Sequence, residues 1–414
     1  KRKTLVLTMP SFEQVLQTAR TLDELGDEVT LVILSHHDVN ADDGEIAPDA
    51  AMLSPLVLGL PREVPNIRCR LIDFDNPALL PLHRELDNDE PIAVWRKGCR
   101  RVQKFEPITL DPNSQSVLRT GGVIVITGGL GGIGLTLARH VMSNHGSSVF
   151  LIGRTAANEI NPDQKTMLAE LGARAAYFAA DVTDLAAMRT AINACTTRFG
   201  KPTAVIHAAG AVKQGPILGK SNENIAALIA PKRDGALVLD QLFRDHDLDG
   251  MYFFSSSSAV LGNSGILDYA AANAFLDGLA HKRTAQGYPT ISIGWDGWKN
   301  IGMSVQPQQG RDERLHDTAL DADDGIGAFE RISGCIGLPH ILVACGDLVA
   351  MRNRIDQQLC AHLDRPNENT SSARRATPHQ RPDLAVDYIA PSTPQEVATL
   401  KIWEEILGVS GIGV

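Results

Sequence analysis

The sequence predicts an α/β protein in two successive halves, a truncated βα-alternating half followed by a complete doubly wound parallel sheet. Three observations point there. The chain has 414 residues, 43% hydrophobic and 21% charged, the composition of a globular protein long enough for more than one buried core. Apolar runs of strand length alternate with amphipathic stretches of helix length through most of it, and that alternation builds parallel sheets flanked by helices. From Gly121 a strand, a glycine-rich turn and a helix follow one another in GGVIVITGGLGGIGLTLARHV, the order that opens a dinucleotide-binding sheet.

The first half is predicted to span residues 1–115. TLVLTM is a strand, Ser11 to Leu25 an amphipathic helix and EVTLVIL the next strand, together a βαβ unit. AAMLSPLVLGL is a second helix, IRCRLIDFD a third strand, and Val94 to Phe105 a hairpin around Lys97-Gly98. No glycine-rich turn follows any of these strands. Close approach of a backbone to phosphate needs such glycines, so this half is expected to be structural and to bind no nucleotide.

The second half is predicted over 116–363. SSVFLIGR, AAYFAADVTD, TAVIHAAG, MYFFSSSS and TISIGW are its further strands, separated by helical stretches. The polar, proline-punctuated RPNENTSSARRATPHQRPD reads as a flexible linker, placed at 364–390. In 391–414, PQEVATLKIWEEILGV is one amphipathic helix, too little for a domain. The chain opens Lys-Arg-Lys without an initiator Met, and the expectation is a piece of a larger polypeptide, cut inside its next module.

A formal charge of −10 leaves no basic surplus for nucleic acid or an anionic membrane, so neither is an expected partner. The longest apolar runs fall well short of the roughly 20 residues that span a bilayer. Cys69, Cys99, Cys195, Cys335, Cys345 and Cys360 lie far apart, without zinc-ligand spacing. The expectation is reduced thiols, a cytoplasmic setting and no metal.

Thr127 to Gly134, TGGLGGIG, fits GxGxxG through Gly129, Gly131 and Gly134, and TGxxxGxG through Thr127, Gly128, Gly132 and Gly134; Leu130 and Ile133 lie within it. Tight turns also use glycine. Here the pattern follows a five-residue apolar strand and opens a helix, whose free N-terminal amides can receive a pyrophosphate. An NAD-binding chain usually has Asp or Glu about 20 residues further on for the ribose 2′-hydroxyl. This chain has Gly153-Arg154-Thr155, and a guanidinium suits a 2′-phosphate, so NADPH is the expected cofactor. Asp181 and Val182, and His207, Ala208, Ala209 and Gly210, stand at strand ends where this fold meets the adenine and the second ribose. A solvated arginine and tight strand ends are the plainer readings.

YAAAN, Tyr269 to Asn273, almost spells the tyrosine and lysine that share one helical face four residues apart in many short-chain dehydrogenases. The fifth letter is Asn. In order, TGxxxGxG, GR, DVTD, HAAG, FSS and YAAAN resemble the ketoreductase domain of modular polyketide synthases, a branch of the short-chain dehydrogenase/reductase superfamily built of two Rossmann-like subdomains. In that family the lysine and asparagine exchange places, and the lysine lies upstream in a helix reading roughly PKxxGAxxL. PKRDGALVL puts Lys232 there. The resemblance therefore implies a complete, permuted tetrad of Lys232, Ser256, Tyr269 and Asn273. Ser256 is chosen by the family's thirteen-residue spacing to the tyrosine, with Ser255, Ser257 and Ser258 left as alternatives.

Ketone reduction needs a hydride and a proton for the developing alkoxide, delivered by an acid within hydrogen-bond reach. Tyr269 is expected to give that proton and Lys232 to lower its pKa from about 10. Ser256 would hydrogen-bond the carbonyl oxygen, and Asn273 would position the lysine and a relay water.

The resemblance also makes the first half a non-binding buttress, Gly294 to Met303 the start of a mobile lid, and APSTPQEVATLKIWEEILGV the opening of an acyl-carrier domain. Where the family reads stereochemistry the chain departs: Ala211 to Gln214 read AVKQ in place of a Leu-Asp-Asp, Leu261 stands where Trp is usual, and Ile266 where a polar residue is common. Product configuration stays open. The expected function is NADPH-dependent reduction of a 3-keto acyl thioester carried by phosphopantetheine on an acyl-carrier domain, among other modules of a synthase. A 2-keto acyl thioester in a peptide-synthetase line stays open. A noncatalytic scaffold would show a damaged tetrad, and a sugar-nucleotide epimerase would keep Tyr-x-x-x-Lys.

Overall fold

A computed structural model describes residues 3–36, 47–110, 116–299, 301–302, 319–353, 355, 379–380, 393 and 409–410. The first sheet has five strands in the order β1-β2-β3-β4-β5. β1 (Lys3–Thr8), β2 (Val29–His36), β3 (Ile67–Phe74) and β4 (Ile92–Arg96) are parallel, and β5 (Cys99–Val102) returns antiparallel to β4. Lys97 and Gly98 between them both have positive φ, 51° and 76°, the pair of left-handed residues a tight hairpin requires. α1 (Phe12–Leu25) is framed by a Ser11–Gln14 capping box and a left-handed Gly26, which satisfies its end groups. The AAMLSPLVLGL stretch is two helices, α2 (Pro48–Ala51) and α3 (Leu53–Glu63), parted at Met52. A short α4 (Leu82–Glu85) precedes β4. Glu85, fully buried, accepts from Arg70, Arg100 and the Trp95 indole.

The second sheet has seven strands in the order β12-β11-β10-β9-β6-β7-β8. They are β6 (Val123–Thr127), β7 (Ser148–Gly153), β8 (Ala175–Ala179), β9 (Ala204–His207), β10 (Gly250–Ser256), β11 (Thr290–Trp295) and β12 (His340–Val343), every neighbouring pair parallel. Helices α5 (Gly132–Asn144), α6 (Pro162–Leu171), α7 (Leu185–Phe199), α8 (Asn222–Phe243), α9 (Ser258–Leu261), α10 (Leu267–Ala285) and α11 (Ala322–Ser333) connect them. β6, β9 and β11 are buried along their whole length, which is why their sequences read as unbroken apolar runs rather than alternating ones. The α/β class expected from the sequence is the one observed.

The two halves share a core. One apolar cluster runs from Val15, Leu31 and Leu56 of the first half to Val125, Phe253 and Phe275 of the second. α2 and α3 lie against α10 at close range, because three glycines stand in the seam. A Cβ on Gly278 would meet Pro48 Cα at 3.1 Å, one on Gly262 would meet Leu58 Cβ at 2.5 Å, and one on Gly59 would meet the Gly262 carbonyl at 2.8 Å.

Residues Gln357–Val414 form a second compact unit, in which β13 (His379–Gln380) pairs parallel with β14 (Val409–Ser410). Most of the expected linker lies outside the described residues, as does the PQEVATLKIWEEILGV helix except Val409, which stands in β14; of the expected lid and the polar run that follows it to Asp324, residues 300 and 303–318 lie outside them. Among the described residues no helix is long and apolar enough to cross a membrane.

Candidate active site

In the second sheet the strand order reverses between β6 and β9, and ligands of open α/β sheets bind at the carboxyl ends beside such a switch point. Thr127 and His207 end those strands in register. The Thr127 Oγ1 to His207 Nδ1 distance is 2.7 Å and both residues are buried. Burial, and then the Lys232 charge, push the His207 imidazole down to about 3, so the ring is neutral.

The glycines between β6 and α5 are explained partly by the protein's own packing. Gly128 is left-handed, φ 71°, and a Cβ there would meet the Ala208 carbonyl at 2.7 Å. One on Gly129 would meet Leu151 Cβ at 2.6 Å, and one on Gly134 the Gly128 carbonyl at 2.6 Å. Gly132 is crossed by the chain at Ile301 and Gly302, whose amide nitrogen would lie 2.8 Å from a Cβ; Ile133 packs on Gly302 from the same side. Gly131 is the N-cap of α5 and offers no side-chain hydrogen bond to its first turn. Those amides are open to an anion. Leu130 is buried, its carbonyl accepting from the Gln164 side chain at 3.0 Å.

Arg154 is exposed at the end of β7 between Gly153 and Thr155, and the Thr155 carbonyl accepts from Tyr177 at 2.7 Å. Asp181 follows β8 beside buried Val182. Burial pushes the Asp181 carboxyl up, but two hydrogen bonds from Thr183 and the charge of Arg154 outweigh it and leave it below its usual range. Ala208, Ala209 and Gly210 continue from β9. A Cβ on Gly210 would lie 2.8 Å from Lys232 Cε, so this glycine gives the lysine stem its passage.

Lys232, Tyr269, Asn273 and Ser256 come from α8, α10 and the end of β10. Lys232 is 3% exposed; its Nζ donates to the Phe254 carbonyl at 2.7 Å and stands 5.7 Å from the centre of the Tyr269 ring. Burial pushes the ammonium down to about 8, with Asp277 working against it. Asn273, fully buried, donates from Nδ2 to the Tyr269 carbonyl at 2.7 Å, and its Oδ1 is a buried acceptor without a hydrogen bond. Ser256 Oγ accepts from the Ser258 amide at 3.2 Å and the Ser258 hydroxyl at 3.0 Å. Ser255 instead turns to the Asn273 carbonyl at 3.2 Å.

One expectation is reversed. Burial raises the Tyr269 phenol, and the side chains of Asn273 and Ser256 oppose that without cancelling it. Lys232 was expected to bring the phenol below its ordinary value; desolvation of the ring site is the larger effect, and the phenol stands above it instead. Sequence reasoning also missed Asp277, 8% exposed, whose carboxylate accepts from Ser292 at 2.6 Å. Its signal was present: Tyr269, Asn273 and Asp277 recur every four residues along one helix.

Among the described residues one group combines metal-ligand types, His140, His145 and Glu330. Both imidazole Nε2 atoms lie 2.5 and 2.7 Å from a single Glu330 oxygen. Ligand atoms sharing an ion at about 2.0–2.2 Å stand roughly 3.3 Å apart, so these contacts are hydrogen bonds.

A doubly wound parallel sheet, a glycine loop at its switch point and a lysine buried beside a helix tyrosine define a reductase of the short-chain dehydrogenase/reductase fold, a class that takes a nicotinamide cofactor. Residues 122–300 match the KR domain family. Polyketide synthase PksM of Bacillus subtilis (strain 168) is 37% identical over 259 residues, covering 62% of this chain and 6% of its own length. Erythronolide synthase EryA3 of Saccharopolyspora erythraea is 29% identical over 402 residues, 94% of this chain and 12% of that protein. The chain thus spans a small part of these relatives. Among solved structures, a ketoreductase domain from the bacillaene assembly line superposes with a TM-score of 0.70 at 27% identity, covering 83% of this chain and 84% of that one. The first ketoreductase of the tylosin synthase gives 0.72 at 27%, with 86% and 80% covered. The chain carries a ketoreductase domain of the modular polyketide synthase family.

Proposed function

We propose that this chain uses NADPH to reduce the 3-keto group of an acyl thioester held by phosphopantetheine on an acyl-carrier domain, and that Tyr269, Lys232, Ser256 and Asn273 carry the reaction. The observation behind this reading is the placement of Lys232. A buried ammonium is costly, and this one stands against the ring of Tyr269, where a positive charge stabilises a phenolate.

The site fits the cofactor. The open amides at the start of α5 suit a pyrophosphate, and exposed Arg154 suits a 2′-phosphate. NADPH, when bound, supplies the hydride for the carbonyl carbon. The Tyr269 hydroxyl gives its proton to the oxygen that becomes negative, and its raised pKa keeps that proton in place until needed. The two bonds from Ser258 are received by Ser256 Oγ, which leaves the Ser256 proton to be donated to the carbonyl oxygen. Lys232 then balances the phenolate. Asn273 Oδ1 accepts from a relay water that returns a proton to Tyr269.

Incubation with NADPH and a panel of 2-keto and 3-keto acyl thioesters, with chiral analysis of the products, tests this. The expected result is one 3-hydroxyacyl thioester formed per NADPH oxidised. Turnover of 2-keto substrates alone would overturn the substrate assignment, and turnover of none would overturn the enzyme reading.

A further inference from the structure

Two strips of chain adjoin the Tyr269 helix and the Lys232 stem, and both are anchored by the other half of the molecule. One is Gly262 to Ile266, which leads into α10. The other runs from Gly210, against the Lys232 stem, to Gly219. They meet where the Gly215 amide donates to the Gly265 carbonyl at 3.0 Å. Gly215, Gly262 and Gly265 have φ values of 134°, 62° and 79°, and apart from a three-residue helical turn at Ile217–Gly219 the strips have no regular structure to hold them. The C-terminal end of α3 does so. Glu63 accepts from the Ile217 amide through Oε2 and from the Gly265 amide through Oε1, both at 2.6 Å. Arg62 Nη1 donates to the Leu261 and Gly262 carbonyls, both at 2.6 Å. On the far side Lys220 ties the second strip to the first turn of α10, with bonds to the Lys213 carbonyl at 2.7 Å and to the buried Asp268 carboxylate at 2.8 Å.

We propose that Arg62 and Glu63 are specificity-determining positioning residues: by fixing the separation of the two strips they set the side from which an acyl chain reaches Tyr269, and so which face of the ketone is reduced. This rests on Tyr269 being the acid. Tyr269, Asn273 and Lys232 are set by packed helices, so the acid is held in one place. One strip leads into the helix that carries Tyr269 and the other starts against the Lys232 stem, so a substrate approaching the acid passes beside them. Neither Arg62 nor Glu63 needs to touch substrate.

The test compares wild type with Glu63→Gln, which keeps the shape of the side chain but removes one amide acceptor, and with Arg62→Met. Reduction of a racemising-resistant 3-keto thioester is followed by epimer ratio, KM and kcat, alongside NADPH affinity. The expected result is an epimer ratio eroded by about fivefold or more, the scale set by one unsatisfied buried amide, with a raised thioester KM and unchanged NADPH affinity. An unaltered epimer ratio in active variants would overturn the proposal, as would equal losses of NADPH affinity and kcat with the ratio intact. Independently of any substrate, amide hydrogen exchange in Glu63→Gln should quicken over 211–219 and 262–266 and nowhere else in the second half. Unchanged exchange there would refute the anchoring. Inactivity of the wild type toward every thioester would instead refute the reading of the active site, and the exchange result would still decide the anchoring.

Discussion

Burial, more than any single partner, sets the chemistry of the residues around Tyr269. Lys232 is pushed down to about 8, and a lysine is charged below its pKa. The charge that supports the phenolate is thus present below about pH 8 and lost above it. At saturating NADPH, kcat/KM for reduction is expected to fall above that pH. Lys232→Met should lose this limb and be slowed most on the acidic side, where the wild type has the charge; a pH–rate profile of the two proteins checks it. Arg154→Asp is expected to cut the preference for NADPH over NADH by tenfold to more than a hundredfold, since a charge-assisted bond is worth about 1.5 to 3 kcal/mol. The ratio of kcat/KM for the two cofactors measures it. The motif order and the resemblance it carries singled out Tyr269, Lys232 and Asn273, which the fold brings close together. They did not make the direction of the phenol shift legible, because how deeply a ring is buried is a property of the fold.

At the scale of elements, the strands and the Lys97-Gly98 hairpin were readable because their signals are local: apolar runs, turn residues, period. Helix breaks were less so. Pro61 lies within α3 and Pro231 within the 22-residue α8, each against the local rule that proline ends a helix, while α2 and α3 part at Met52, which carries no breaking signal. The contact of α3 with α9 and α10 has no local signal at all. Arg62 and Leu261 are 199 positions apart, and the glycines that let the helices approach look like any others. Gly59→Ala tests that seam. In an isolated helix the change would help by up to about 1 kcal/mol. Here the new Cβ would lie 2.1 Å from Leu267 Cδ2 and 2.8 Å from a backbone carbonyl, and overpacking costs about 1 to 3 kcal/mol. A net loss of stability is expected, read as a lower denaturation midpoint.

Across the whole molecule, the apolar cluster joining the halves and the glycines of the seam make the first half part of the reductase's structure. Its lack of glycine turns was plain in the sequence. That it reaches to the strips beside Tyr269 was not, since only folding brings Glu63 to Ile217 and Gly265. Tyr269, backed by a lysine from a different helix, is the proposed proton donor. The most direct measurement is single-turnover reduction of a 3-keto acyl thioester by wild type and Tyr269→Phe, with NADPH affinity determined on the same preparations. A positioned acid contributes about 10² to 10⁴ in rate. The expected result is a loss of that size in Tyr269→Phe with NADPH affinity nearly intact; a variant that reduces the thioester at the wild-type rate would rule Tyr269 out as the acid.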